Sequence, residues 1–316
     1  DVFCDGAFGN ELQAFEDYPR QYDAWEITDY YKQKMWILDT PAEIAPIFDG
    51  TRAGVQVVKR YMRSTIVQKI WLYSGSPRID FETEIDWHEK HQILKAAFPL
   101  AIHANNATFD IQFGHVVRPT HENTSWDKAR FESYGHKWVD ISENSYGVSL
   151  LNDCKYGYNT EGSTLKLTML KCAAHPNPHA DEGKHIFTYS LLPHIGDFRE
   201  AGVIQEAYSL NQPLEAVSVN SSDGTLPSTY SLVSSDCPNI MIETVKKAEA
   251  DGSMVVRLYE AFDRRCKTAI SVAEGFKKAY LCSLLEDELE ELPFDGRKLL
   301  LSVRNFEIVT LKFTKE

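Results

Sequence analysis

The sequence has few of the features that mark several common protein classes. Lysine and arginine number 33 against 46 aspartates and glutamates, a net charge of -13, so no basic stripe is available to neutralise the phosphates of a nucleic acid. No apolar run is long enough to span a bilayer and no signal-peptide pattern opens the chain, so we expect no membrane partner. The six cysteines are too sparse for a disulfide scaffold, and no two have zinc-ribbon spacing. They are best interpreted as buried thiols in a reducing cytoplasm.

Helical stripes are also scarce, whereas period-two alternation recurs along the chain. Between Phe81 and His88, Phe81, Ile85 and Trp87 alternate with charged residues. Further strands are predicted at Ile66 to Tyr73, Ala107 to Val117, Tyr146 to Asn152, Ser163 to Leu170, His185 to Pro193, Met254 to Ala261 and Leu299 to Leu311. Many strands and few helices predict an all-β fold built from large antiparallel sandwiches.

The length of 316 residues predicts one large domain and a smaller one. The stretch from Ser218 to Ser222 is polar and rich in small residues, as a connector would be. We therefore expect a large β-domain over residues 1–215 and a small β-sandwich over residues 216–316. The acidic segment from Glu286 to Glu291 is predicted to be a solvated loop or turn.

Several segments, in order along nearly the whole chain, carry a resemblance to a known family. The strongest runs from Gln112 through the sequence Phe-Gly-His-Val-Val-Arg-Pro-Thr-His-Glu-Asn-Thr-Ser-Trp to Asp127. Others are Phe15 to Glu26, Leu150 to Gly157, Phe187 to His194, Val245 to Glu249 and Arg257 to Ala261. These segments resemble the C-terminal region of family 38 glycoside hydrolases, the α-mannosidases, particularly their cytosolic and vacuolar branch.

The resemblance implies a large domain like the mutarotase supersandwich, whose first strands are expected outside this chain, followed by a small C-terminal sandwich. It also implies removal of terminal α-linked mannose with retention, by an attacking aspartate and a second carboxyl group that acts as acid and base. A zinc ion in the family's N-terminal domain clamps sugar hydroxyls. This chain does not resemble that domain, so we expect no catalytic residue and no metal ligand in it.

Two segments are candidates for sugar contact. The resemblance assigns Arg118 to the rim of the sugar site, with His121, Asn123, Trp126 and Asp127 as supporting candidates. An aromatic face beside hydrogen-bonding groups suits sugar recognition. The alternative is a loop that folds on itself, with Asn123 and Asp127 capping backbone and Trp126 in the core. In the other segment, Asp23 and Trp25 offer a carboxylate and an indole, or else a turn aspartate beside a buried tryptophan.

The expected partners are a mannose-containing oligosaccharide and the N-terminal catalytic domain of the same protein, and a homo-oligomer is left open. The alternative function is a stand-alone carbohydrate-binding module without hydrolase activity, because sandwiches of this kind bind sugars in several settings.

His88 and His91 invite a metal interpretation, but their three-residue gap at a strand end does not fit a zinc helix.

Overall fold

The computed structural model describes residues 2–220, 224–225 and 227–315, so the last two residues of the predicted connector, Ser221 and Ser222, lie outside the described residues. About 50% of the chain is strand and 6% is helix, and the strands pair in antiparallel fashion. The predicted all-β class is therefore confirmed. The chain forms two compact units, residues 1–111 with 116–214 and residues 112–115 with 215–316.

The first unit contains fifteen strands, one 3-10 helix and two α-helices in its described part. The strands are β1 (Glu11–Glu16), β2 (Met35–Ile37), β3 (Glu43–Asp49), β4 (Arg52–Tyr61), β5 (Ser64–Tyr73), β6 (Ile79–Trp87), β7 (Gln92–Pro99), β8 (Asn106–Ile111), β9 (Gly114–Pro119), β10 (Ser133–Tyr134), β11 (Trp138–Ser142), β12 (Tyr146–Asn152), β13 (Gly157–Glu161), β14 (Thr164–Lys171) and β15 (Gly183–Ile195). The helices are the 3-10 helix Asp29–Gln33, α1 (Ser125–Lys128) and α2 (Val203–Asn211).

These strands form two sheets of unequal width. The six-stranded sheet has the order β10-β13-β14-β7-β1-β2, and the nine-stranded sheet has the order β3-β4-β5-β6-β15-β12-β11-β8-β9. Side chains of both sheets meet in one hydrophobic core, in which Leu94 and Leu167 of the narrow sheet are buried with Ile85 and Tyr189 of the wide sheet. We call the core-facing side of each sheet its inner face.

The alternation of β6 agrees with its prediction. Phe81, Ile85 and Trp87 lie on the inner face and are at most 5% exposed, whereas Glu84 and Asp86 between them are exposed. This alternation fixes the register of β6, because a one-residue slip would turn the charged side chains into the core and expose the apolar ones.

Two of the predicted long strands are wrong, because each is a hairpin. The predicted strand from Ala107 to Val117 consists of β8 and β9, and the predicted strand from Leu299 to Leu311 likewise consists of two strands. Phe113 and Phe306 sit at the reversals with positive φ angles of 55° and 54°. Because these turn residues are apolar, they continue the hydrophobic pattern and conceal the turns.

The second unit is a small sandwich. Its described strands are β16 (Val233–Ser235), β17 (Ile240–Lys247), β18 (Met254–Glu260), β19 (Cys266–Val272), β20 (Lys278–Cys282), β21 (Glu288–Leu292), β22 (Lys298–Val303) and β23 (Ile308–Thr314). The three-stranded sheet β16-β19-β22 and the five-stranded sheet β17-β18-β23-β20-β21 enclose a second core with Val256, Leu311 and Phe313. The predicted acidic loop is partly wrong, because Glu288 begins the exposed edge strand β21.

No helix among the described residues is long and apolar enough to cross a membrane.

Candidate functional site

Two connecting segments of the first unit carry all seven residues predicted to contact sugar. The first segment, residues 17–33, leaves β1 and contains the 3-10 helix. The second segment, residues 118–132, leaves the end of β9, contains α1 and leads into β10. β1 and β10 both belong to the six-stranded sheet, so the two segments start or end on that sheet.

Charged side chains join the two segments. The Tyr31 hydroxyl donates a 2.5 Å hydrogen bond to Glu132, and the ammonium group of Lys95, on β7, donates to the same carboxylate. Lys32 forms ion pairs with Glu122 at 3.4 Å and with Glu161 of β13. The first segment is thereby fixed to the second segment and to the sheet beneath.

A small apolar cluster supports these polar contacts. Phe15, Tyr31 and Ile93 are buried together, with Ile27 and Phe131 packed against them. The Phe15 and Tyr31 rings meet edge to face at 5.1 Å, a favourable aromatic geometry. Ile27 and Tyr31 of the first segment and Phe131 of the second therefore share this satellite core.

Lys95 is the buried charge at the centre of the junction. It is 0% exposed, and its ammonium group lies 5.1 Å from the centre of the Tyr31 ring. Burial lowers the pKa of Lys95, while the Glu132 carboxylate acts in the opposite direction. Burial, together with the charge of Glu132, also raises the pKa of the Tyr31 phenol well above its usual range. Glu132 is the counter-charge on which this arrangement depends.

Arg118 packs against aromatic rings. Its guanidinium group lies 4.4 Å from the centre of the Phe109 ring and 4.9 Å from that of Tyr134, and it donates a 2.6 Å hydrogen bond to the Tyr134 carbonyl. Burial lowers the pKa of Arg118, and the nearby Arg130 lowers it further. One bond to a carbonyl uses one of the five guanidinium N–H donors, and the side chain remains half-buried. Arg118 is thus held by stacking on two rings and by one hydrogen bond.

His121, Asn123 and Asp127 come together around the start of α1. Asp127 and Thr124 form a capping box, in which the Thr124 hydroxyl accepts from the Asp127 amide at 3.2 Å and Asp127 accepts from the Thr124 amide at 3.1 Å. His121 Nδ1 lies 3.7 Å from the Asp127 carboxylate and accepts a 3.4 Å hydrogen bond from the backbone amide of Asn123. The hydrogen bond from Thr124 keeps the pKa of Asp127 below its usual range. Asp127 therefore has the backbone role offered as the alternative.

The two tryptophans of the candidate set are exposed. Trp126, on α1, is 76% exposed, and Trp25 is 71% exposed, beside Tyr22 at 68% and Tyr18 at 56%. Trp25 closes a turn, because its backbone amide donates a 2.7 Å hydrogen bond to the Tyr22 carbonyl. Neither indole packs into a core, so both rings present an aromatic face to solvent.

The Asp23 side chain is hydrogen-bonded to backbone amides. Its carboxylate accepts hydrogen bonds from the amides of Ala174 at 2.7 Å and His175 at 3.1 Å, and its carbonyl accepts from Lys171 at 2.7 Å. Lys171 also pairs with the fully buried Asp17, whose pKa burial raises. The Asp23 side chain therefore ties the first segment to the chain that follows β14, and it does not share a ligand-facing cluster with Trp25.

An aromatic row beside Arg118 was missed by the sequence reasoning. Tyr134 and Tyr156 are each 53% exposed, and His136 lies between them with ring centres 6.0 Å and 5.5 Å away. Burial, together with the charge of Lys137, lowers the pKa of His136. The alternation Tyr134-Gly135-His136 was a usable signal, but Tyr156 lies on another connection and only the fold brings it close.

Comparison with known proteins identifies the family. Residues 2–179 match the glycosyl hydrolases family 38 C-terminal domain, and residues 239–311 match the family 38 C-terminal beta sandwich domain. The chain belongs to glycosyl hydrolase family 38. The resemblance drawn from the sequence motifs is thereby confirmed, as is the small sandwich at the C-terminal end.

Curated relatives match almost the whole chain. It is 40% identical to alpha-mannosidase 2C1 of Homo sapiens and 37% identical to alpha-mannosidase G of Dictyostelium discoideum, over 98% of its own length in both cases. The chain spans only about 30% of the length of these relatives. An alpha-mannosidase structure from Enterococcus faecalis V583 matches 96% of the chain with a TM-score of 0.80 at 18% identity, and 38% of that protein is covered. The structural match shows a shared fold.

The described residues form no metal site. Among them, no group of three or more histidine, cysteine, aspartate or glutamate side chains is arranged to hold a metal ion. His88 pairs with Asp86 at 3.0 Å, while His91 stacks on Tyr18 with ring centres 4.2 Å apart. The two histidines of the sequence motif therefore have separate partners.

Proposed function

We propose that this chain is the C-terminal part of a retaining α-mannosidase that removes terminal α-D-mannose from oligosaccharides. The observation that carries the proposal is the 40% identity to human alpha-mannosidase 2C1 across 98% of the chain. Because the chain spans about 30% of that relative, we assign the attacking aspartate, the acid/base carboxyl group and the zinc ion to an N-terminal catalytic domain of the same protein. The six cysteines are free thiols, which favours a reducing, cytoplasmic location.

The role proposed for the chain itself is to scaffold that catalytic domain and complete its substrate cleft. The second segment supports this role because it carries both a stacked arginine, Arg118, and an exposed indole, Trp126. Stacked rings and fixed donors suit the apolar face and the hydroxyl groups of a sugar. His121 and Asn123 belong to the same segment and are exposed, and we assign them weaker contacts.

The deciding experiment compares the 316-residue chain with its full-length parent in the hydrolysis of p-nitrophenyl α-mannoside, with zinc present. We expect turnover by the parent alone. Turnover by the isolated chain would contradict the proposed division between a catalytic and a scaffolding part. Calorimetric titration of the isolated chain with mannotriose tests the other function, because clear binding without the catalytic domain would favour a carbohydrate-binding module.

A further inference from the structure

The two sheets of the first unit overlap only in part, and strand register shows which side chains are left uncovered. Directly paired residues project to the same face of a sheet. Ile66 and Ile70 of β5 belong to the core, and Val55 of β4 pairs with Ile70. Pro46 of β3 pairs in turn with Val55. The inner face therefore continues outward from β5 through β4 to β3.

This continuation is apolar and uncovered. We call its apolar part the overhang; by register its members are Ile44, Pro46, Phe48, Ala53, Val55, Val57 and Leu72, and Lys59 lies on the same face. Along the same face, exposure rises from 1% at Ile66 to 37% at Val55, 68% at Ile44 and 80% at Phe48. A contiguous apolar patch that extends directly from a core is a surface that proteins cover.

The narrow sheet ends opposite the overhang. Among the described strands, its edge strand β2 pairs with β1 alone. Trp36 pairs with the core residue Ala14, so Trp36 lies on the inner face. Trp36 is nevertheless 38% exposed. Lys59 of β4 donates a 2.7 Å hydrogen bond to the carbonyl of Leu38, just beyond β2, which holds the sheets together beside this opening. The sandwich is open between β2 and the overhang.

The free edge of β3 is a poor site for strand addition. Pro46 lies in the middle of β3 and has no backbone N–H, and proline in an edge strand blocks extension of a sheet. A second copy that extended the wide sheet edge to edge would meet this proline. An occupant of the opening has to come from the β2 side and lie against the overhang.

We infer that the overhang is covered by an apolar, strand-forming segment of the same polypeptide from outside these 316 residues, which pairs with the free edge of β2. This inference rests on the proposed function, because it needs the longer parent protein. It is supported by relatives of which the chain spans only about 30%. The segment completes the narrow sheet, and its alternate apolar side chains pack on Val55 and Phe48.

A matched pair of substitutions tests this inference. Ile44→Lys places a charge on the overhang. Ile186→Lys places the same charge on the outer face of the same sheet, because Ile186 pairs with the outer-face residue Glu84. Ile44 is 68% exposed and Ile186 is 72% exposed, so the two substitutions are equivalent in the isolated chain. We expect a Tm change below about 1 °C for both in the isolated chain. In the full-length parent, we expect Ile44→Lys alone to lower the Tm by at least about 3 °C.

Thiol labelling gives a second readout that does not depend on tolerance of a charge. A Phe48→Cys variant is labelled with a maleimide and analysed by peptide mass spectrometry, in the isolated chain and in the parent. We expect labelling at residue 48 to be at least about tenfold slower in the parent. An Ile186→Cys control should label at the same rate in both proteins.

Three results would overturn the inference. One is equal effects of Ile44→Lys in the chain and the parent, and another is unchanged labelling of residue 48. The third is a dimer of the isolated chain in sedimentation velocity that Ile44→Lys dissociates, because a second copy would then be the occupant. None of these readouts measures mannoside hydrolysis. An inactive parent with a protected overhang would therefore remove the proposed function and leave this inference standing.

Discussion

The hydroxyl of Tyr31 and the carboxylate of Glu132 are separated by 101 positions in the sequence and by 2.5 Å in the structure. This bond joins the first segment to the second, and it does so over Lys95, which shares the same carboxylate. Two of the contacts that hold the two segments on the sheet therefore converge on one acceptor, the Glu132 carboxylate. Loss of the Glu132 carboxylate is therefore expected to lower the stability of the chain before it affects sugar binding.

Tyr31→Phe should lower the free energy of unfolding of the 316-residue chain by about 1–2 kcal/mol, because a buried hydrogen bond to a charged acceptor is lost. The measurement is urea denaturation followed by circular dichroism. Tyr30→Phe is the matched control, because the Tyr30 hydroxyl donates instead to the Tyr18 carbonyl at an exposed site. Equal losses for the two variants would contradict a special role for the Tyr31 bond.

Glu132→Gln should cost more, about 3–5 kcal/mol, because it leaves the fully buried Lys95 without its counter-charge. The same denaturation experiment measures the loss. The double variant Lys95→Met with Glu132→Gln should recover much of it, since an uncharged side chain no longer needs a partner. A double variant as unstable as Glu132→Gln alone would contradict this explanation.

Arg118→Ala should affect the full-length protein in two separable ways. Loss of stacking on Phe109 and Tyr134 should cost about 1 kcal/mol of stability. Loss of a charged sugar contact should lower kcat/KM for an α-mannoside by roughly ten- to a hundredfold, measured well below the Tm. Arg130→Ala, an exposed arginine of the same segment, should leave both quantities unchanged. A stability loss with unchanged kcat/KM would limit Arg118 to a packing role.

Some features of this fold can be predicted from the sequence alone and others cannot. The faces of β6 were predictable because Phe81, Ile85 and Trp87 alternate with charge and a sheet has a strict two-residue period. The hairpins at Phe113 and Phe306 were not, because each turn carries a phenylalanine at positive φ where glycine or asparagine is the usual signal.

The candidate site divides in the same way. The family motif located the second segment, and the capping box of Thr124 and Asp127 is a pattern of local spacing that sequence can show. The junction of Tyr31, Lys95 and Glu132 was out of reach, because separations of 37 and 101 positions leave no periodic signal. The exposure of Trp126 likewise depends on how a four-residue helix is oriented on the unit.

Acid should loosen the second segment through Asp127. The pKa of Asp127 is depressed in the folded chain, so its stabilising bonds persist above about pH 4 and are lost as the pH falls through the folded pKa. Pepsin cleavage beside Trp126 should therefore rise as the pH falls below about 4. Asp127→Asn should be cleaved readily already at about pH 4. A parallel pH dependence in both proteins would exclude Asp127 as the titrating group.

Cys154 should be a slow nucleophile despite its exposure. Burial of the thiol group and the neighbouring Asp153 raise the pKa of Cys154 to about 11. At about pH 8 its alkylation by iodoacetamide should be on the order of a hundredfold slower than that of free cysteine, in proportion to the thiolate fraction. Asp153→Asn should accelerate the reaction, as followed by mass spectrometry of the Cys154 peptide. No acceleration would assign the shift to burial alone.

The unequal width of the two sheets also implies an order of events during synthesis. Translation runs from the N-terminus, so a covering segment that precedes this chain would leave the ribosome before β3, β4 and β5 exist. That segment then waits with its own apolar side chains unpaired until about seventy residues of this chain have followed and the hairpins around Val55 have formed. During this interval the unpaired strand can aggregate with other newly made chains, so this is the stage of synthesis at which chaperone binding would matter most.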